Sequence, residues 1–143
     1  MGDNLNASVL VVDDDPDDQM LLLEAFKASG LQCNLEFSVG AAEALARLRL
    51  PPTGQPLVVL LDMNMPGMDG LEFLSRRSRE PLLRRVPVIA LTTSWDGALV
   101  NQAYDLGANA FLVKPMRFAD LVDLVRSFSS FWLVAAELPG SAG

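Results

Sequence analysis

Side chains that could carry out chemistry recur at the points where apolar runs of this chain end. Asp62 ends one such run, Asp13, Asp14 and Asp15 follow a second, and Thr92 and Lys114 end two more. An ionised carboxylate can attack phosphorus, while an ammonium and a hydroxyl can bind the oxygens of a phosphoryl group. The set therefore indicates a site that moves a phosphoryl group onto a carboxylate, with Asp62 as the acceptor.

The same acidic side chains favour a divalent cation. Crowded carboxylates raise one another's proton affinity unless a cation offsets their charge. Mg²⁺ prefers oxygen ligands and usually keeps several waters around one or two carboxylates. We expect Mg²⁺ to be held by the carboxylates of Asp14 and Asp62 and the main-chain carbonyl of Asn64, with Asp13 binding a metal-bound water.

Composition limits the other possible functions. The 143 residues suit a single domain, predicted over 1–138 with a flexible tail at 139–143. A net charge of −7 argues against nucleic-acid binding, and the absence of histidine removes histidine-based sites. The single cysteine cannot form an internal disulfide, and no apolar run reaches the ~18 residues of a membrane span. With no signal-peptide pattern at the N-terminus, the expected location is the cytoplasm.

The chemistry-bearing residues must be positioned by strands, because each follows a short apolar run. Strands are predicted at 8–12, 35–39, 57–61, 86–91 and 110–113, and helices at 16–30, 41–50, 70–77, 96–106 and from 118 onward. Strict alternation predicts an α/β fold, a (βα)₅ arrangement with a doubly wound parallel five-stranded sheet. The carboxyl ends of parallel strands share one edge, so the candidate residues should converge there. A cis Lys114–Pro115 bond is predicted to aim the lysine inward.

The motifs resemble the receiver domain of two-component response regulators, over roughly residues 7 to 130. The similar segments are Val11-Val12-Asp13-Asp14-Asp15, the turn from Asp62 to Gly70, Leu91-Thr92-Thr93, and Val113-Lys114-Pro115. Thirty residues separate Asp62 from Thr92, and twenty-two separate Thr92 from Lys114. The resemblance implies a flavodoxin-like fold with strand order 2-1-3-4-5.

By this resemblance, a sensor histidine kinase donates its phosphoryl group to Asp62. Thr92 then moves toward the phosphate, and Phe111 turns inward. Many relatives carry tyrosine at the position of Phe111, so its movement here should be steric alone. The chain is expected to signal rather than to act as an enzyme.

The C-terminal segment resembles that of the small regulators paired with bacterial phytochromes, especially in Phe131-Trp132-Leu133. Apolar residues from Phe118 to Leu138 cover more than one helical stripe, so one face remains after packing on the sheet. We expect a homodimer through the last strand, the last helix and this apolar tail.

Several alternatives compete with this interpretation. A haloacid-dehalogenase-type phosphohydrolase also forms an aspartyl phosphate, but it needs a second aspartate where this chain has Asn64. A flavodoxin-like electron carrier would need a phosphate-binding first loop, which the acidic Asp13–Asp15 loop opposes. A phosphate sink or relay without its own output, or a degenerate receiver, also fits the fold. Arginines 76, 77, 79, 84 and 85 are expected to form a solvated helix end.

Overall fold

A computed structural model describes residues 4–50, 56–64, 70–93 and 96–139, with residues 4–6 described by backbone alone. In these residues strands and helices alternate: β1 Asn4–Val12, α1 Pro16–Ala28, β2 Gln32–Ser38, α2 Ala41–Leu48, β3 Leu57–Asp62, α3 Gly70–Ser78, β4 Val88–Thr92, α4 Gly97–Asp105, β5 Ala110–Val113 and α5 Phe118–Phe128. A 3-10 turn at Leu83–Arg85 precedes β4, and a π-helical segment at Ser129–Ala135 continues α5.

The five strands form one parallel sheet in the order β2-β1-β3-β4-β5, which confirms the expected topology. The register aligns the carboxyl ends of the central strands. Val12 pairs with Leu61, Asp62 with Leu91, and Thr92 with Val113. Residues that follow these strands therefore lie along one edge, as the alternation of elements predicts.

Apolar residues of the central strands face two separate cores, one on each side of the sheet. In β1, Val9 and Val11 pack with residues of α1 and α5, whereas Leu10 and Val12 pack with residues of α2 and α3. The same division continues in β3 and β4, where all interior residues are buried. Burial on both faces explains why these strands are continuous apolar runs.

The predicted helix boundaries are close to the observed ones. Pro16 begins α1, and the carboxylate of Asp15 accepts a hydrogen bond from the backbone N–H of Asp17 at 2.9 Å. A proline in the first turn and an aspartate cap are both typical of helix starts. Gly30 and Gly107 follow α1 and α4 with φ angles of 80° and 100°, which favour glycine.

Two strands begin earlier than predicted. β1 begins at Asn4 instead of residue 8, and β2 begins at Gln32 instead of residue 35. Their added residues are polar or mixed and pair at the start of both strands, Asn4 opposite Gln32. Backbone hydrogen bonding extends these strands where the apolar pattern gives no signal.

The expectation that Arg77 is solvated is wrong. Its side chain is 3% exposed and lies on the buried face of α3. The guanidinium donates hydrogen bonds to the carbonyls of Val86, Arg84 and Gly107, at 2.7 Å, 3.2 Å and 3.1 Å. These contacts join α3 to the start of β4 and to the turn before β5.

The C-terminal segment remains helical beyond α5, because the π-helical segment follows it directly. Leu133 is buried and Trp132 is partly buried against the core of α1 and α5. Phe131 lies edge-to-face with Trp132 and is 57% exposed. Among the described helices, none is long and apolar enough to cross a membrane. Of the predicted tail at 139–143, only residue 139 lies within the described residues.

Candidate phosphoacceptor site

Three carboxylates meet at the edge of the sheet where β1 and β3 end. Oxygen atoms of Asp13, Asp14 and Asp62 all lie within 4.8 Å of one another. Asp13 and Asp14 directly follow β1, and Asp62 is the last residue of the neighbouring β3. The parallel pairing of these strands therefore brings together the acids predicted to bind a metal.

Asp13 is the most buried of the three, with 2% of its surface exposed. Burial raises the pKa of Asp13 to about 7, and the charges of Asp62 and Asp18 also raise it. A hydrogen bond from the backbone N–H of Asp15 at 2.9 Å and the charge of Lys114 oppose that shift. The protein thus holds a carboxylate whose ionisation is favoured by an added cation.

Asp62 is half-buried, and burial raises its pKa, with a smaller contribution from the charges of Asp18 and Asp14. The backbone N–H of Asn64 donates to its carboxylate at 2.9 Å, and this bond and the charge of Lys114 lower the pKa. These two contacts favour the ionised form, which is the form that can act as a nucleophile. The following turn residues 65–69 lie outside the described residues.

The carboxylate donors fit a hard divalent cation. They supply oxygen atoms only, they are close enough to share one ion, and two of them have raised pKa values because negative charge is crowded and poorly solvated. Mg²⁺ is bound in proteins by one or two such carboxylates together with water. A metal bound here would neutralise the repulsion among the three acids.

Thr92 lies at the end of β4, as predicted, but its side chain is not open to the solvent. It is 1% exposed, and its hydroxyl accepts a short hydrogen bond from the side-chain amide of Asn64. The adjacent Thr93 is exposed and lies at the edge of the cleft, with the Asn64 amide 3.5 Å from its hydroxyl. Asn64 therefore connects the end of β3 to the end of β4.

Lys114 approaches the acids from β5. Its backbone N–H donates to the carbonyl of Thr92 at 2.6 Å, and its side chain is 9% exposed. The ammonium lies 3.4 Å from a carboxylate oxygen of Asp18, in the first turn of α1. The Lys114–Pro115 bond is trans, so the predicted cis bond is wrong. The direction of the strand already carries the lysine to the site, and trans is the common form before proline.

These residues surround an open cleft of about 460 Å³. Its lining residues are Asp14, Asp15, Pro16, Asp18, Asp62, Asn64, Thr93 and Lys114. Phe111, the predicted aromatic switch, does not line it. Its partly buried ring packs against the core cluster of α2, α3 and α4, and β4 separates its strand from β3, which carries Asp62.

Sequence reasoning missed two residues of the cleft, Asp18 and Thr93. Asp18 lies in the first turn of α1, directly after the acidic loop, and this position was an available signal. Nothing in the local pattern distinguishes Thr93 from Thr92, because which hydroxyl faces the cleft depends on how the chain leaves the sheet.

The comparisons with known proteins agree with this geometry. Probable methanogenesis regulatory protein FilR2 of Methanothrix harundinacea is 36% identical over 148 aligned positions, which cover 99% of this chain and 96% of FilR2. Response regulator Rcp1 of Synechocystis is 34% identical, with 93% of both proteins covered.

Solved structures of response regulators share the fold. The phosphorylated cyanobacterial phytochrome response regulator RcpA has a TM-score of 0.82 and 31% identity, covering 93% of this chain and 98% of RcpA. The Mn²⁺-bound form of Rcp1 has a TM-score of 0.78 and 34% identity, covering 93% of this chain and 99% of Rcp1.

Residues 9–126 match the response regulator receiver domain family. Receiver domains bind Mg²⁺ at an acidic pocket and work with histidine kinases, and the acid cluster described above agrees with such a pocket. Because the match spans most of the chain and the relatives are similar over nearly their full length, the chain belongs to the response regulator receiver domain family, a family of phosphoacceptor signalling proteins.

Proposed function

We propose that Asp62 is the residue that accepts the phosphoryl group, in a Mg²⁺-dependent reaction with a sensor histidine kinase. The observation that carries this proposal is the meeting of Asp13, Asp14 and Asp62 within 4.8 Å at the end of β3. Asp62 lines the cleft together with Lys114, whereas Asp13 is 2% exposed and is not among the lining residues. The backbone hydrogen bond from Asn64 and the charge of Lys114 favour the ionised form of Asp62, which is the form that the reaction requires.

The residues around Asp62 have separate roles in the proposed reaction. An oxygen of the Asp62 carboxylate forms a bond to phosphorus as the bond to the donor's leaving atom breaks. Lys114 binds a phosphoryl oxygen, and the Thr92 hydroxyl binds another after Phe111 and Thr92 rearrange. Asp14, Asp62 and the Asn64 carbonyl would hold Mg²⁺, with Asp13 binding its water. The ion supplies positive charge that offsets the charge of the phosphoryl oxygens.

Intact-mass measurement tests the acceptor. The chain is incubated with acetyl phosphate, with and without Mg²⁺, and each sample is compared with Asp62→Asn and Asp17→Asn. We expect the parent and Asp17→Asn to gain one phosphoryl group only with Mg²⁺, and Asp62→Asn to gain none. Asp17 is an exposed acid on the same edge of the molecule and controls for the loss of one charge. A parent protein that gains no mass, or an Asp62→Asn variant that gains as much as the parent, would contradict the proposal.

We also propose that the kinase is a bacterial phytochrome. The support is the similarity to the cyanobacterial phytochrome response regulator RcpA, together with the Phe131-Trp132-Leu133 segment. A purified autophosphorylated phytochrome kinase should transfer radiolabelled phosphate to this chain at least about tenfold faster than a non-phytochrome kinase. Equal rates from both kinases would remove the phytochrome from the proposal and keep Asp62 as the acceptor.

The phosphorylated chain acts as a switch in this proposal, and its exposed C-terminal apolar residues form a homodimer surface. β5 is an edge strand of the sheet, and Val113, Phe118, Phe131 and Val134 are all more than two-fifths exposed.

No observation favours the haloacid-dehalogenase-type alternative, because this chain has Asn64 at the position where those enzymes have their second aspartate. A role as a phosphate sink or relay uses the same acceptor and differs only in the fate of the phosphoryl group.

A further inference from the structure

The ion pair between Lys114 and Asp18 is an interaction that the family motifs do not include. The ammonium of Lys114 lies 3.4 Å from the Asp18 carboxylate, and the two side chains are 9% and 35% exposed. Among the described acids, Asp18 is the one within ion-pair distance of this lysine. The acceptor Asp62 influences Lys114 through its charge without forming an ion pair of this kind.

Asp18 is held in place by contacts of the first turn of α1. The Asp15 carboxylate accepts from the N–H of Asp17 at 2.9 Å, and the Gln19 amide donates to the carbonyl of Asp13 at 2.7 Å. These contacts fix the turn against the acidic loop that follows β1. Lys114 is fixed on the opposite side by its backbone hydrogen bond to Thr92. The pair therefore spans the cleft between two anchored elements.

We propose that Asp18 is a positioning residue that holds the Lys114 ammonium before phosphorylation and competes with the phosphoryl group for it. This inference rests on the proposed phosphorylation of Asp62. In the transfer, the new bond joins phosphorus to a carboxylate oxygen of Asp62, and Asp18 forms no bond to phosphorus. Lys114 must instead weaken its contact with Asp18 in order to bind a phosphoryl oxygen. Asp18 thereby sets how readily the lysine serves the reaction.

The competition predicts a gain of rate when Asp18 loses its charge. With saturating Mg²⁺ and limiting acetyl phosphate, Asp18→Asn should be phosphorylated about threefold to tenfold faster than the parent, the range expected for a partly buried ion pair. Asp17→Asn is the matched control, because Asp17 has the same charge, lies in the same turn and is exposed. Its rate should stay within about twofold of the parent.

A double-mutant cycle separates an effect through Lys114 from a general effect of charge. The rates of the parent, Asp18→Asn, Lys114→Met and the double variant Asp18→Asn/Lys114→Met are all measured by intact mass at the same acetyl phosphate concentration. If Asp18 acts by holding the lysine, its substitution should change the rate by less than about twofold once the lysine is absent. If Asp18 only repels the anionic donor, the gain should be the same with and without the lysine.

Each outcome decides the inference. A gain in Asp18→Asn that exceeds the gain in Asp17→Asn and disappears in the Lys114→Met background supports it. A gain that persists in that background, a gain shared by Asp17→Asn, or a slower Asp18→Asn variant would overturn it. Failure of the parent itself to accept a phosphoryl group at Asp62 would overturn the proposed function and this inference together, so the two failures are distinguishable. Thermal unfolding of every variant checks that the fold is retained.

Discussion

The burial of Asp13 determines how the site responds to pH. A carboxylate that is 2% exposed and has Asp62 and Asp18 nearby ionises reluctantly, which is why its pKa rises to about 7. In the unfolded chain the same group titrates near its ordinary value of 3.8. Between these two pH values the folded protein binds more protons at this residue than the unfolded chain does. The free energy of unfolding therefore falls as the pH rises across this range.

The sign of the pH dependence follows from the raised pKa. The stability associated with protonated Asp13 is fully present below about pH 4 and is lost as the pH rises through about 7. Asp13→Asn cannot lose stability in this way, so without metal the variant should be about 4 kcal/mol more stable than the parent at pH 8, since each pH unit between the two pKa values corresponds to about 1.4 kcal/mol. Urea unfolding in EDTA at pH 5 and pH 8 measures the difference, with Asp17→Asn as the control. Stability differences between parent and Asp13→Asn that are equal at both pH values would contradict the prediction.

The same residue should couple metal binding to proton release. A metal ligand or its water-binding partner must be ionised, so Mg²⁺ binding near Asp13 should expel the proton that Asp13 holds. We expect the Mg²⁺ affinity to increase by up to about tenfold per pH unit between pH 6 and 7, and to level off above the pKa. Isothermal titration calorimetry in buffers of different ionisation enthalpy counts the released protons. Proton release that is unchanged in Asp13→Asn would assign it to another group.

At the scale of residues, the sequence predicts which side chains reach the site better than it predicts which contacts they make. Asp13, Asp14, Asp62 and Lys114 follow strand ends, and a parallel sheet brings strand ends together whatever lies between them. The contact of Lys114 with Asp18 depends on the angle at which α1 leaves β1, and the sequence pattern does not contain that angle. The predicted cis Lys114–Pro115 bond was wrong, and the sequence pattern by itself gives no reason to favour the less common isomer.

At the scale of elements, Arg77 shows how a charged side chain can belong to a core. The buried residues of α3 are Gly70, Phe73, Leu74 and Arg77, which follow the i, i+3, i+4, i+7 spacing of a single helical stripe. This spacing explains why Arg77 lies on the inner face, although its charge suggested a solvated position. Hydrogen bonds to three carbonyls compensate for its burial, since an unpaired buried charge would be costly.

Truncation of Arg77 should destabilise the fold and leave the site intact. Arg77→Ala removes the donors for the carbonyls of Val86 and Gly107 and opens a cavity, so we expect a loss of about 2–4 kcal/mol in the free energy of unfolding. Arg76→Ala is the control, because Arg76 is about half-exposed and, among the residues that the structure describes, its side chain forms an i,i+4 ion pair with Glu72 alone. This variant should lose less than about 0.5 kcal/mol.

Urea unfolding measures the two arginine variants, and the mass gain with acetyl phosphate checks the site in each. Arg77 contacts the edge of the sheet opposite Asp62, near the start of β4 and the turn before β5. Variants that are still folded under the assay conditions should therefore reach the same level of phosphorylation. Equal stabilities of Arg77→Ala and Arg76→Ala would show that the buried hydrogen bonds contribute little.

At the scale of the whole molecule, some large apolar side chains remain exposed although helices cover both faces of the sheet. Both cores are covered by helices, yet large apolar side chains remain exposed on the last elements, namely Val113, Phe118, Phe131 and Val134. Single exposed apolar residues are normal on soluble proteins, whereas several on adjoining elements mark an interaction surface. β5 is an edge strand, and its outer backbone groups could also pair with a second copy.

The proposed homodimer should depend on the C-terminal residues of this surface. Phe131→Glu/Val134→Glu places two charges on side chains that are 57% and 62% exposed, so folding should be little affected, while burial in an interface would become costly. We expect the parent to sediment as a dimer at micromolar concentration and the double variant to sediment as a monomer, with the dissociation constant raised at least about a hundredfold.

Leu82→Glu is the matched control for the dimer prediction. Leu82 is 72% exposed, but it lies beside the 3-10 turn before β4, away from the last elements. Dissociation by Leu82→Glu, or a double variant that remains dimeric, would place the interface elsewhere. Repeating the measurement with the acetyl phosphate-treated chain tests whether phosphorylation of Asp62, at the end of β3, changes the association.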